Sequence, residues 1–446
     1  MKKFIDSIKN VWKIEELRNR IIVTLGLLLV YRFGAQVVLP GIDASQLSNL
    51  ATQTDGGLLG LLNAFTGGAF SNASVFALGI MPYISASIVV QLMGIAVPYL
   101  QKLQKEGESG RRKINQITRW LTIAITLVQG PGYIYNLFAT LPPSAFLLGS
   151  TVTFVVSSVI ILATGTIFAM WLGEKITDKG IGNGISLLIM VGIIATLPQA
   201  FIQEFVSRVI ESNGGAIMIL IELVIWFAII LASVMLVMAV RQIPVQYARR
   251  TASGGYEKNV FGSRQYIPLK LNASGVMPII FAQAIMFIPA AVAGLSESET
   301  AQGVTAAFSD PFGFWYNVVF ALLIIIFTYF YTAITVPTNK MADDLKRSGG
   351  FIPGIRPGTE TAEFLDRIMS QITLPGSVFL ALIAVFPAIV FQLLGVQGNW
   401  ALFFGGTSLL IMVGVAIDTM QQVNSYLLNR HYDGLMKTGK NRKAVA

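Results

Sequence analysis

The chain of 446 residues has no cysteine and a single histidine, His431, in a polar C-terminal tail. The first absence excludes a disulfide scaffold, a zinc–thiolate site, an iron–sulfur cluster and a cysteine nucleophile. The second leaves little for imidazole catalysis or metal ligation. No catalytic residue, metal site or cofactor is therefore expected. Charge is scarce too: 12% of residues are Asp, Glu, Lys or Arg, about half the usual share of a soluble domain. Apolar residues make up 54%, which excludes one soluble core, because such a chain would turn large apolar patches to water. The charge that is present is lopsided at +9. An excess of that sign points to nucleic acid, an anionic membrane surface or an acidic partner, and its placement decides among them.

Ten apolar runs approach or exceed the roughly 20 residues needed to cross a bilayer. They are 21–39, 75–98, 120–138, 152–172, 185–201, 216–240, 273–293, 314–336, 372–394 and 402–420. With the N-terminus inside, 30 of the 32 Lys and Arg residues fall on one side, as the positive-inside rule requires. The exceptions are Arg32, within the first run, and Arg208, assigned to an outside loop. This arrangement accounts for the net charge without nucleic acid, and puts both termini inside. No cleavable signal is expected, since the first run lies behind a charged stretch and outruns signal-peptide length. Residues 1–20 place Phe4, Ile5, Ile8, Val11, Trp12 and Leu17 near helical spacing among charges, the pattern of an amphipathic helix on the inner surface.

Two short sequences recur five spans apart. Gly79-Ile80-Met81-Pro82-Tyr83-Ile84 resembles Gly275-Val276-Met277-Pro278-Ile279-Ile280, and the seven residues from Ser186 to Gly192 are identical to those from Ser408 to Gly414. Five is odd, so matched helices run in opposite directions, the signature of an inverted repeat with a site between its halves. The fold class is thus an all-α polytopic membrane protein: ten transmembrane helices in two inverted five-helix halves, 21–201 and 216–425, around a centre. The alignment pairs Ile84 with Ile280 and Ile189 with Ile411. Branched aliphatics there fit a dry constriction that seals by dewetting rather than a polar substrate site. Between the first two spans, a short apolar piece holding Leu58, Leu59, Leu61, Leu62 and Phe65 is too short to cross. It is a re-entrant or interfacial helix, a movable plug or a static cap.

Five ordered stretches resemble the SecY family, the channel subunits of the bacterial protein translocase. They are 76–87, 105–113, Gly180-Ile181-Gly182-Asn183-Gly184-Ile185-Ser186, Pro353-Gly354-Ile355-Arg356-Pro357-Gly358, and Phe404-Gly405-Gly406-Thr407-Ser408-Leu409-Leu410. The resemblance covers essentially the whole chain and implies a protein-conducting channel of the bacterial cytoplasmic (inner) membrane, with an hourglass pore. Its constriction would be a ring of Ile80, Ile84, Ile185, Ile189, Ile280 and Ile411, and its plug would lie at about 57–70. A lateral gate tuned by Ser85, Ser87, Gln91, Asn272 and Gln283 would release membrane segments into the lipid bilayer. The inside loops 241–270 and 339–363 would receive the ribosome or the SecA motor ATPase, with Arg249, Arg250, Lys258 and Arg356 as contacts and 426–446 as an inside tail. The segment 252–266 departs most from the family. Signal sequences and preprotein chains are the implied clients, and SecE and SecG the implied subunits.

Two rivals remain to weigh. Gly180, Gly182 and Gly184 open a membrane span rather than follow a strand, so they make a poor nucleotide site, and no nucleophile–base pair is evident. A secondary transporter with inverted five-helix repeats is the alternative. Its ionisable mid-membrane groups would have to be Arg32, Glu222 or Asp418, all near span ends, which favours a passive gated pore.

Overall fold

The computed structural model describes residues 12, 14–47, 57–147, 151–210, 215–247, 264–293 and 310–442. A helix occupies each of the ten apolar runs. These are α1 (Glu15–Gly34), α3 (Met81–Ala96), α5 (Glu108–Thr140), α6 (Thr151–Lys179), α7 (Gly184–Val209), α8 (Gly215–Met238), α9 (Met277–Ala293), α10 (Phe314–Thr335), α12 (Thr359–Leu394) and α14 (Gly406–Arg442). Shorter helices lie between them: α2 (Gly57–Thr66), α4 (Pro98–Lys105), α11 (Thr338–Arg347) and α13 (Gly398–Ala401). Among the described residues, five helices (α6, α7, α8, α10 with its continuation, and α12) are each long and apolar enough to cross a membrane. Two bent pairs, α3 with α4 and α13 with α14, reach that length together. Backbone groups in lipid must be satisfied within the segment, which is why so apolar a chain is helical over most of each run. The protein is an all-α polytopic membrane protein.

The chain divides into two compact units. One holds the residues up to Ala216, Val396–Phe403 and the chain from Val415; the other holds Ile217–Gly395 and Phe404–Gly414. In the first, α1 runs unbroken from Glu15, and Leu17 is buried. Leu17 therefore belongs to the packed helix rather than to a surface-lying segment, while Phe4, Ile5, Ile8 and Val11 lie outside the described residues. Trp12 is exposed. The N-terminal part of α5 and the last turns of α6 are joined by a fork-to-fork pair in which Arg119 Nε and Nη2 meet the two oxygens of Glu174 at 2.9 and 2.7 Å. Around the C-terminal end of α5 and the first turn of α6, Tyr133, Ile134, Leu137, Leu141 and Phe154 pack against Leu39, Phe70 and Ala73.

The glycine run between α6 and α7 ties helix ends together. Asn183 caps α7, its side-chain oxygen accepting from the N–H groups of Ile185 and Ser186. The Thr177 hydroxyl accepts from Gly184 N–H at 2.9 Å, Thr24 Oγ1 from Ile181 N–H at 3.0 Å, and Gln422 Oε1 from Gly182 N–H at 2.9 Å. Side chains of α1, α6 and α14 thus satisfy the donors a helix start leaves open. This accounts for the motif as a structural joint rather than a phosphate cradle.

In the second unit, parts of the two long loops form strands. Residues Val240–Tyr247 form β1, Arg264–Lys270 form β2 and Gly350–Phe351 form β3, an antiparallel sheet in the order β2-β1-β3. The register pairs Ile243 with Ile267 and Gln246 with Phe351. Period-2 spacing puts Ile243 and Val245 on one face, where they pack with Leu269, Leu345, Ile352, Leu365 and Met369. Pro244 and Pro268 cannot donate to a ladder, and this masks both strands in the sequence. The pairing joins the described parts of the two loops in one sheet.

Candidate functional site

The repeat has a counterpart in local structure. Gly79 and Gly275 both adopt positive φ, +53° and +64°, a conformation open chiefly to glycine. A helix follows each at Met81 and Met277, with Pro82 and Pro278 in its first turn, where a missing N–H costs nothing. The second pair behaves alike: α7 begins at Gly184 and α14 at Gly406, the same repeat position. Of the six isoleucines, Ile80, Ile189 and Ile411 are buried and Ile84, Ile185 and Ile280 half-buried. Ile80, Ile84, Ile185 and Ile189 belong to the first unit, Ile280 and Ile411 to the second.

The short helix α2 lies where the apolar piece was read. Phe65 is buried, while the side chains of Leu58, Leu59, Leu61 and Leu62 lie outside the described residues. The helix ends in a Schellman turn: Gly68 N–H donates to Asn63 C=O and Gly67 N–H to Ala64 C=O, with Gly67 at φ +67°. Here the backbones of α2 and α7 almost touch. A methyl on Gly67 would lie 2.7 Å from Gly192 Cα, and one on Gly192 would lie 2.7 Å from the Phe65 carbonyl oxygen. Gly192→Ala is expected to unseat α2 while leaving α7 helical, and faster hydrogen exchange in 63–75 alone would show it. Two further ties hold the segment beyond α2. Tyr133 Oη donates to the Phe70 carbonyl at 2.8 Å, and a bridge between Val38 and Ser74 closes the loop behind it.

Beside α2 lies a polar cavity of about 270 Å³ lined by Arg32, Gln36, Asn63, Gln199, Gln203 and Asn399, among others. The wall at 396–403 is fixed by a buried network that the sequence reading missed. Arg208, assigned there to an outside loop, lies instead in the last turn of α7 and is buried. Its Nε donates to Glu204 Oε1 at 2.7 Å, and Glu204 Oε2 accepts from Gln397 N–H at 2.8 Å. Trp400, 1% exposed, stacks edge-on against Phe201. The four-residue spacing of Glu204 and Arg208 was the available signal. Glu222 is buried as well.

The gate candidates sit on two elements. Ser85, Ser87 and Gln91 are half-buried on α3, and Gln91 Nε2 donates to Ser87 Oγ at 3.2 Å. Asn272 precedes α9 and accepts from Ser274 Oγ at 3.2 Å, and Gln283 is buried on α9. Of the loop cations, Arg249, Arg250 and Lys258 lie outside the described residues. The Arg356 side chain is 88% exposed, in loose contact with Glu360 at 3.9 Å. Its turn is shaped by Gly354 and Gly358 at φ +85° and +118° and pinned by the Thr361 hydroxyl donating to the Arg356 carbonyl at 2.8 Å. The backbone is fixed and the cation is free to reach outward.

Comparison with known proteins gives this arrangement its relatives. Residues 74–420 match the SecY family model. A protein translocase subunit SecY of Streptomyces scabiei is 40% identical over 436 residues, covering 96% of this chain and 98% of the relative. A solved structure of a protein conducting channel superposes with a TM-score of 0.59 at 18% identity, covering 92% of each chain. Sec61 in the canine ribosome–channel complex from the endoplasmic reticulum does so at 0.55 and 18%, again covering 92% of each. With a full-length relative at that identity and a family model across most of its length, the chain belongs to the SecY family of protein translocase subunits.

Proposed function

We propose that the chain is the polypeptide-conducting channel of a bacterial translocase, seated in the cytoplasmic membrane with both termini in the cytosol. It is a channel protein, not an enzyme. The observation that supports the reading most is the repeated local structure: in a chain of this family, equivalent positions of two matching helix starts carry Ile84 and Ile280, or Ile189 and Ile411. An inverted pair of halves, 21–201 and 216–425, brings such positions toward a common axis. Six isoleucines then form a compliant apolar collar that a passing chain can displace and that excludes ions by dewetting.

In this reading α2 is the plug that covers the collar from outside. The lateral gate runs along α3 and α9, where Ser85, Ser87, Gln91, Asn272 and Gln283 adjust how readily helix contacts exchange for contacts with a signal sequence. Hydrogen bonds in lipid are worth about 1 kcal/mol, weak enough to reopen. The sheet β2-β1-β3 with the Arg356 turn is the cytosolic platform for the ribosome or SecA, while SecE and SecG complete the complex. The basic platform then serves protein partners and RNA phosphates without reading bases.

The test is transport by the purified complex in vesicles, with a motor and a preprotein on the platform side. Protease-protected preprotein is expected inside; none would overturn the proposal. Arg356→Glu is expected to lower motor-driven transport at least about tenfold, since one reversed charge in an interface costs on the order of 1.4 kcal/mol or more. Thermal stability should not move, because the side chain is 88% exposed. Unchanged transport would remove Arg356 from the contact.

A further inference from the structure

We infer that Arg32 is the latch of the plug. It rests on the channel reading and names the residue that holds α2 shut. Arg32 is half-buried on α1, whose neighbouring Leu29 and Phe33 are exposed apolar side chains. A guanidinium on such a helix has to reach a polar partner. Its Nη1 donates to the carbonyl oxygen of Gly67, 35 residues further along the chain. That oxygen lies just past the Schellman turn of α2, whose own bonds engage the carbonyls of Asn63 and Ala64 and leave this one for an outside donor. Helix C-termini carry partial negative charge, so a cation there stabilises the seated helix.

The geometry explains why the latch is arginine. Gly67 packs so close to Gly192 that no side chain fits at either position. Holding α2 therefore falls to backbone acceptors gripped from neighbouring helices: Gly67 by Arg32 and Phe70 by Tyr133. A backbone acceptor needs no polar side chain on the plug. The two grips differ in strength. Tyr133 makes a neutral bond in a buried core. Arg32 makes a charge-assisted one at the edge of the polar cavity, where Gln36, Gln199 and Gln203 can accept the guanidinium once it lets go. The latch thus releases without leaving a charge stranded in lipid, and α2 can leave as a unit from the Val38–Ser74 bridge onward.

The experiment compares Arg32→Leu and Arg32→Lys with the wild-type complex in sealed vesicles, using hydrogen exchange of residues 57–75 and resting ion flux. Losing a hydrogen bond to a charged group shifts an opening equilibrium about tenfold to a hundredfold. Arg32→Leu is expected to speed exchange in that segment by this factor, to raise resting ion flux, and to leave α5, α6 and α12 protected as before. Arg32→Lys keeps the charge and is expected to fall between. Unchanged exchange and flux in Arg32→Leu overturns the latch, and so does an increase spread evenly over all helices, which marks Arg32 as a packing residue only. Preprotein transport is measured in the same vesicles. Its absence in the wild type defeats the channel reading, whereas normal transport with unaltered plug exchange defeats the latch alone.

Discussion

Glu204→Ala is expected to lower the stability of the purified complex by about 3–5 kcal/mol, the cost of breaking a buried ion pair from one side. Both partners are sequestered, their side chains 3% and 7% exposed. Removing the carboxylate leaves a guanidinium with one partner fewer and strips Gln397 N–H of its acceptor. The loop 396–403 then loses its anchor on the C-terminal end of α7, although Trp400 still packs on Phe201. Glu204→Gln keeps an oxygen for Gln397 N–H and is expected to cost less, about 1–3 kcal/mol. Denaturant unfolding in detergent separates the two variants. A loss below about 1 kcal/mol in Glu204→Ala would show that the network is dispensable.

Serine at both Ile84 and Ile280 is expected to raise resting ion conductance on the order of a hundredfold. Each apolar side chain withdrawn from a dry contact forfeits about 1.5 kcal/mol or more, so two lower the barrier to a wetted pore by about 3 kcal/mol. Valine at the same positions keeps the surface apolar and branched, and is expected to leave conductance near the wild-type value. The readout is ion flux across vesicles holding the purified complex. Wild-type flux in the double serine variant would remove these residues from any seal. Both positions are half-buried, so serine is tolerated there more readily than at Ile189 or Ile411, which are buried.

The two variants probe different kinds of legibility. Ile84 and Ile280 pair from the chain alone, because a repeat copies residue and register together. Gly79 and Gly275 show why the copy survives: a positive φ followed by a proline-bearing first turn is a strict local demand, met by few residues. The helix positions were readable for a similar reason. Lipid leaves a backbone no partner but itself, so an apolar run of sufficient length has to be helical. Glu204 and Arg208 were harder. Their spacing is helical, yet a charged pair near a span end looks like a loop until the helix is seen to continue to Val209 and the chain at 397 returns to cover it.

The sheet was harder still. Strands β1 and β2 each contain a proline, and β3 is two residues long. Only their mutual pairing and the burial of Ile243, Val245 and Leu269 against α11 and α12 make them strands.

Sequence by itself determined the membrane solvent and the helical runs of this protein. Those follow from apolar length and the self-sufficiency of helix hydrogen bonds, both properties of residues close in the chain. Only tertiary structure decided that Arg32 meets Gly67, that Gly192 clears a path for Phe65, and that two loops share one sheet. Each depends on backbones from distant segments approaching within a few ångströms. No local pattern records which glycine will face which carbonyl.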